Sequence, residues 1–175
     1  VDLSLPALKQ LDQAQAEAFL DQLQLLVEAD QRITLFEYAL TRILADHLSS
    51  RAARNHRVRF RRYSQVHKDI QLVFSTLAHT SGGNPEKAAA SFARVTGALL
   101  PAGTALLDAP KCSIRSLDQS LENLRDLTPM LKGPLVDTLA DLVLEDGKVQ
   151  VAEAELLRAI CTLLDCPVPP LSRAA

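Results

Sequence analysis

Four carboxylate residues, arranged as two similar pairs, are the side chains in this sequence whose type and spacing best suit chemistry. Asp30 is followed seven residues later by Glu37, and Asp146 is followed seven residues later by Glu153. Carboxylate oxygens are the ligands that calcium and magnesium prefer in proteins. If the two loops met in the folded chain, Asp30, Glu37, Asp146 and Glu153 could together bind a divalent cation.

The second of these loops matches half of a calcium EF-hand. Its Asp-Gly-Lys-Val run at 146–149, followed by Glu153, fits loop positions five to twelve of that motif. Positions one and three, which must donate oxygens, would be Leu142 and Leu144. A leucine side chain has no oxygen, and Gln31 replaces the turn glycine in the first loop. An EF-hand is therefore excluded.

Helix capping explains the same residues without an ion. Thr34 and Glu37 have the spacing of a capping box, in which the two residues bond each other's backbone N–H groups. Gln150 and Glu153 have this spacing too, and Gly147 suits the left-handed residue that often follows a helix. The pattern favours two helix–turn–helix hairpins, and a shared ion site remains the alternative.

A basic run between residues 51 and 62 is the second candidate site. No acidic residue interrupts its six arginines, which are Arg51, Arg54, Arg57, Arg59, Arg61 and Arg62. Such a run can contact phosphate on a nucleic acid or on an anionic lipid surface, although solvated charge blocks are also common. Nucleic acid is disfavoured because only Phe60 and Tyr63 could stack on bases and no recognition motif is present.

Motifs for catalysis or zinc binding are absent from the sequence. It contains no His-Glu-x-x-His, and no two histidines have the spacing of zinc ligands on one helix face. Cys112, Cys161 and Cys166 have no base beside them in sequence to activate a thiolate. We expect no catalytic residue and no cofactor within this chain.

The elements that must position these residues are predicted to be helices. Leucine and alanine dominate a chain that is 47% hydrophobic and lacks tryptophan, and apolar residues recur at helical spacing. We predict an all-α fold of about seven helices in a bundle, as one domain over residues 1–175. The two acidic loops place related helix–turn–helix repeats at about residues 12–49 and 129–166.

Three helix starts are predicted from local sequence. Asp12 suits an N-cap, and Asn84 before Pro85 combines an N-cap with a proline at the first helical position. Ser116 and Gln119 have the spacing of a capping box before an apolar stripe.

Composition limits the environment of the chain. The net charge of −2 gives no general attraction to nucleic acid or membrane. Three cysteines without a Cys-x-x-Cys pair indicate reduced thiols. No apolar stretch is long enough to span a bilayer, so we expect a soluble fragment.

Several segments of the sequence resemble known proteins. The Asp-Gly-x-Val…Glu hairpins resemble the helical TerB-like family, which is associated with tellurite resistance. The segments RITLFEYAL, RVRFRRYS, LAHTSGGNPEKAAASF and LKGPLVDTLADLVLEDGKVQVAEAELLRAICTLLDCPVPPL resemble the cytosolic C-terminal region of bacterial membrane-bound zinc metalloproteases, in the family that includes the heat-shock protease HtpX. This resemblance spans nearly the whole chain.

The resemblance implies a fragment of a longer membrane protein, at the cytoplasmic face of the membrane, whose partner is the rest of the parent protease. The protease part would carry the zinc and the membrane spans, so no catalytic residue is assigned here. TerB-like metal residues would correspond to Asp146 and Glu153, and less completely to Asp30 and Glu37. The alternative is a free-standing TerB-like stress-associated module that binds protein partners or divalent cations.

Overall fold

The structure is a computed structural model, and it describes residues 58–81 and 84–171 together with residues 11–12, 14–16, 18–22, 37–38, 41–42 and 44. These described residues form helices, turns and loops, with no strand among them, so the predicted all-α class is confirmed. The chain divides into two compact units, Val1–Asn55 and His56–Ala175. Each unit is described by itself below.

In the N-terminal unit, a reciprocal capping box precedes helical residues 14–16 and 18–22. The Asp12 Oδ1 accepts the backbone N–H of Gln15 at 2.8 Å, and the Gln15 Oε1 accepts the N–H of Asp12 at 3.1 Å. The N-cap predicted at Asp12 is therefore confirmed. Farther along, Glu37 is helical and half-buried, and its carbonyl accepts the Thr41 hydroxyl at 2.8 Å.

Five α-helices make up the described part of the C-terminal unit. They are α1 (His67–Thr80), α2 (Pro85–Thr96), α3 (Ile114–Arg125), α4 (Pro129–Val143) and α5 (Val151–Leu163). Short 3-10 turns lie at Tyr63–Gln65 and Ala109–Lys111. The predicted count of about seven helices and the superposition of the two repeats depend on residues 23–36 and 45–57, which lie outside the described residues.

Of the two helix starts predicted in this unit, one is confirmed and one is wrong. The Asn84 side chain accepts the N–H of Glu86 at 2.8 Å, and Pro85 is the first residue of α2, as expected. Helix α3 begins one turn earlier than predicted, because the Ser113 Oγ accepts the N–H of Ser116 at 3.2 Å. Ser116 is consequently inside the helix rather than at its cap.

Helix α1 forms the centre of this unit. It contacts α2, α3, α4 and α5, and its side chains Ile70, Val73, Phe74 and Leu77 are at most 1% exposed. Burying an aliphatic or aromatic side chain of this size contributes about 1.5–3 kcal/mol. The apolar stripe of α1 is thus the surface on which the other four helices assemble.

The segment before α1 is attached to the connection between α3 and α4. Backbone bonds join the Arg59 N–H to the Asp126 carbonyl and the Thr128 N–H to the Phe60 carbonyl, both at 2.9 Å. Phe60 and Leu127 form an isolated parallel bridge. These bonds place the C-terminal half of the predicted basic run on the surface of the helical core.

None of the helices among the described residues is both long enough and apolar enough to cross a membrane.

Candidate functional site

The turn between α4 and α5 is built by the acidic loop that the sequence singles out. The Asp146 Oδ1 accepts the N–H of Lys148 at 2.8 Å, which closes a tight turn around Gly147. Gly147 has a φ of +74°, and it lies three residues beyond Leu144, the C-cap of α4. The local hydrogen bond of Asp146 and the left-handed conformation of Gly147 are confirmed, whereas the helix cap predicted at Gly147 is wrong, because α4 ends three residues earlier with Leu144 as its C-cap.

Glu153 caps the N-terminus of α5. Its Oε2 accepts the N–H of Gln150 at 2.8 Å, and the residue is only 3% exposed. A carboxylate in the first turn also interacts favourably with the positive end of the helix dipole. The capping role predicted for Glu153 is confirmed.

Glu145, the acidic residue directly before Asp146, makes contacts with a distant helix that the sequence did not predict. Its Oε2 accepts the Ser91 hydroxyl at 2.5 Å, and its Oε1 pairs with the Arg94 guanidinium. The Glu145 side chain is 16% exposed, whereas that of Arg94 is 66% exposed. Ser91 and Arg94 are one helical turn apart on α2, and this spacing is the only sequence signal that both could reach the same carboxylate.

A cavity of about 370 Å³ lies between α2 and the turn after α4. Its charged lining comprises the carboxylates Glu145, Asp146 and Glu153 and the cations Lys87 and Arg94. The lining thus combines both signs of charge, and hydrogen bonds or an ion pair with neighbouring groups already engage all three carboxylates. Chemically, such a pocket could hold a small polar molecule with a positive group, or water.

The predicted four-carboxylate ion site is only partly represented in the described residues. Asp146 and Glu153 line the same cavity, Glu37 lies on a helix of the N-terminal unit, and Asp30 lies outside the described residues. Within the described ranges, no group of three or more His, Cys, Asp or Glu side chains is arranged to hold a metal ion. The shared ion site stays a prediction.

Three of the six arginines that were predicted to contact an anionic surface lie within the described residues. Arg51, Arg54 and Arg57 lie outside the described residues. Arg59, Arg61 and Arg62 are exposed on the segment ahead of α1.

Arg59 is partly neutralised by a carboxylate, whereas no described carboxylate pairs with Arg61 or Arg62. The Arg59 Nη1 lies 3.5 Å from the Asp126 Oδ2, and its guanidinium carbon is 5.3 Å from the centre of the Phe60 ring. In the described part of the chain, the Arg61 and Arg62 guanidiniums have no ion-pair partner.

The three thiols are poorly suited to nucleophilic chemistry. Burial raises the pKa of the Cys161 thiol to about 12, so this group stays protonated at neutral pH. Burial also raises the pKa of Cys166 and of Cys112, both half-buried. Raised pKa values favour the protonated thiol, which is a weaker nucleophile than the thiolate.

Two histidines are engaged with backbone carbonyls. The His67 Nδ1 lies 3.0 Å from the Ser64 carbonyl oxygen, and the His79 Nε2 lies 2.7 Å from that of Leu107. A ring nitrogen that donates to a carbonyl carries a proton and has no lone pair for a metal. The contacts orient the two rings, and the second nitrogen of each ring can still accept a hydrogen bond or bind a metal.

Lys132 is a buried cation that the sequence interpretation did not single out. It is 7% exposed on α4, and burial lowers the pKa of its ammonium, while Asp165, Cys166 and Asp126 oppose that shift. Lysine is rarely buried to this extent. The sequence feature that could have predicted this burial is the position of Lys132 among the apolar residues of α4.

Compared with known proteins, the chain matches no family model, no curated protein and no solved structure. The TerB-like and metalloprotease resemblances therefore stay predictions that depend on the sequence segments quoted above.

Proposed function

We propose that this chain is a non-catalytic cytosolic accessory or regulatory domain of a membrane-bound zinc metalloendopeptidase. The hairpin from α4 to α5 is the observation that carries the proposal. Asp146 closes its turn, Gly147 has a positive φ and Glu153 caps the second helix. These are the residues on which the TerB-like resemblance depends.

In this proposal, zinc and the catalytic residues belong to the protease part of the parent protein. The chain itself contains no His-Glu-x-x-His motif. Its contribution is a helical platform that recruits substrates or partners at the cytoplasmic face of the membrane. A core in which one central helix contacts four others suits such a platform, because it can hold surface groups in fixed positions.

The first test is to read the gene upstream of the codon for Val1. We expect membrane-spanning segments and a His-Glu-x-x-His motif in the same reading frame. A start codon immediately before this position, with neither feature, would overturn the proposal.

The second test compares the parent enzyme with a variant lacking residues 1–175. We expect the truncated enzyme to cleave a short peptide at the normal rate and to cleave protein substrates abnormally. Adding the isolated chain in trans provides the control for misfolding of the truncated enzyme. Equal loss of peptide and protein cleavage would instead mean that the domain only supports folding.

A second candidate function is a free-standing module that binds divalent cations or protein partners. The observation that favours it is the cavity beside Glu145, Asp146 and Glu153. The reading-frame test separates the two candidates, and stabilisation by added cation tests the second one directly.

A further inference from the structure

The segment ahead of α1, together with the first two residues of α1, carries a local excess of positive charge. Residues 58–68 contain four cations and no acidic residue. The cations are Arg59, Arg61, Arg62 and Lys68, and all four are exposed. Since the whole chain has a net charge of −2, this charge is a feature of one surface and not of the molecule in general.

Arg61 and Arg62, which have no ion-pair partner in the described part of the chain, lie on a segment whose backbone is hydrogen-bonded. The Gln65 Oε1 accepts the N–H of Arg61 at 2.8 Å and the N–H of Arg62 at 3.1 Å. At the next residue, the Tyr63 hydroxyl donates to the Leu131 carbonyl at 2.7 Å. These bonds reduce the backbone freedom that binding would otherwise have to remove.

An exposed apolar residue lies beside the same segment. Met130 is 85% exposed, more than any other large apolar residue in the described ranges, and it directly precedes Leu131, the acceptor of the Tyr63 hydroxyl. Val58, at the other end of the segment, is 42% exposed. We call residues 58–63 together with Met130 the basic–apolar surface.

We propose that the basic–apolar surface docks on an anionic lipid bilayer. Arg61 and Arg62 contact the phosphate and carboxylate groups of the lipid headgroups, and Met130 enters the interfacial layer. This inference rests on the proposed position of the domain at the cytoplasmic face of a membrane.

A bilayer fits this surface better than a nucleic acid does. A bilayer interface combines negative charge with apolar depth, so it can receive both the guanidiniums and the thioether side chain. A nucleic acid offers phosphates but no apolar layer that could receive Met130, and single strands are bound largely by stacking of bases on free aromatic rings. Phe60 and Tyr63 are half-buried, and the Tyr63 hydroxyl is already bonded.

The charge test uses vesicles of phosphatidylcholine with and without phosphatidylserine. We expect the 175-residue chain to co-sediment only with the anionic vesicles at low salt. The R61Q/R62Q variant should bind roughly 30-fold more weakly, since each surface cation contributes roughly fivefold. The matched control is R115Q/K148Q, which removes the same charge at exposed positions elsewhere and should bind like the parent.

The insertion of Met130 into the lipid is tested by tryptophan fluorescence. The chain contains no tryptophan, so a single introduced tryptophan reports on its own position. A Met130→Trp variant should shift its emission to the blue when anionic vesicles are added. A Val151→Trp variant reports on another exposed apolar position, 75% exposed at the start of α5, and should not shift.

Three results would overturn the inference. These are the absence of binding to anionic vesicles, equal weakening by the two double variants, and an unchanged emission of the Met130→Trp variant when the vesicles bind. Tighter binding to duplex DNA than to anionic vesicles, lost in R61Q/R62Q, would assign the surface to nucleic acid instead. The reading-frame test is independent of these measurements, so this inference and the proposed function can fail separately.

Discussion

Glu153 combines a buried carboxylate with a position on the wall of a cavity. Its Oε2 accepts the N–H of Gln150, which satisfies one donor at the start of α5. The same side chain belongs to the predicted ion site, so capping and cation binding make different demands on it. A substitution that keeps the hydrogen bond and removes the charge distinguishes them.

We predict that Glu153→Gln lowers the free energy of unfolding by less than about 1 kcal/mol, because the amide oxygen can still accept the Gln150 N–H. Thermal melts with chelator and with excess calcium or magnesium measure this effect. The control is Glu86→Gln, which removes a first-turn carboxylate from α2 at an exposed position.

If Glu153 only caps α5, the thermal unfolding midpoint of the unsubstituted protein should hardly change when calcium or magnesium is added. A cation present at about 100 times its dissociation constant would stabilise the parent by about 2.7 kcal/mol. A rise of several degrees that is lost in Glu153→Gln but kept in Glu86→Gln would show that the loop binds an ion.

The buried thiol of Cys161 makes stability depend on pH in the alkaline range. Its folded pKa of about 12 is above the ordinary value of 9.0, so the unfolded chain loses this proton first. The stabilisation is complete below about pH 9 and is lost progressively as the pH rises from 9 toward 12. Between about pH 8 and pH 10, we predict a loss of about 1 kcal/mol from this group.

Urea unfolding of the parent and of Cys161→Ala at the two pH values measures this loss. The variant should have a lower stability at both values but a smaller difference between them. Lys132, whose lowered pKa has the opposite effect, is present in both proteins and cancels from the comparison. Equal pH differences in parent and variant would mean that Cys161 does not cause the effect.

At the scale of the helix, the start of α3 shows how two similar signals compete. Ser113 and Ser116 are both suitable N-caps, and the sequence interpretation chose Ser116 because Gln119 follows at the capping-box spacing. In the structure Ser113 has extended backbone angles and accepts the Ser116 N–H, and half-buried Ile114 is the first helical residue. The extra turn thus brings one more apolar side chain into the fold.

We predict that Ser113→Ala costs about 1 kcal/mol of stability, the usual effect of removing an N-cap side chain. Ser116→Ala keeps the backbone N–H that is capped and should cost less, below about 0.5 kcal/mol. Urea unfolding of both variants gives the comparison. A larger loss of stability for Ser116→Ala would show that Ser116 is the N-cap, as predicted from the sequence.

At the scale of the whole molecule, the division into Val1–Asn55 and His56–Ala175 bears on how the chain folds. The second unit has its own core around α1, with fully buried Phe74 and Leu139 on different helices. A unit of this size with a contiguous core can fold independently.

We predict that residues 56–175, expressed alone, are helical and unfold in one cooperative urea transition. Circular dichroism of this fragment measures both properties. Phe74→Ala in the same fragment tests whether the core is tightly packed. This substitution should lower the free energy of unfolding by about 3–5 kcal/mol. A fragment without a cooperative transition would support the single 1–175 domain expected from sequence.

The sequence by itself determined the helical class and most of the local contacts in the described part of the chain. The cap at Asn84, the turn at Asp146 and the cap at Glu153 were all predictable. Each depends on a side chain and a backbone N–H at most three residues apart, so the interaction is encoded within one helical turn. Asp30 and the first repeat lie outside the described residues, and their pairing with the second repeat stays a prediction.

Only the tertiary structure decided which distant residues meet. Glu145 binds Arg94 across 51 positions of sequence, and Asp126 binds Arg59 across 67. The burial of Lys132 and the raised pKa of Cys161 likewise depend on surrounding helices rather than on neighbours in sequence. These properties arise from the packing of four helices on α1, where desolvation and contact are set by the three-dimensional arrangement.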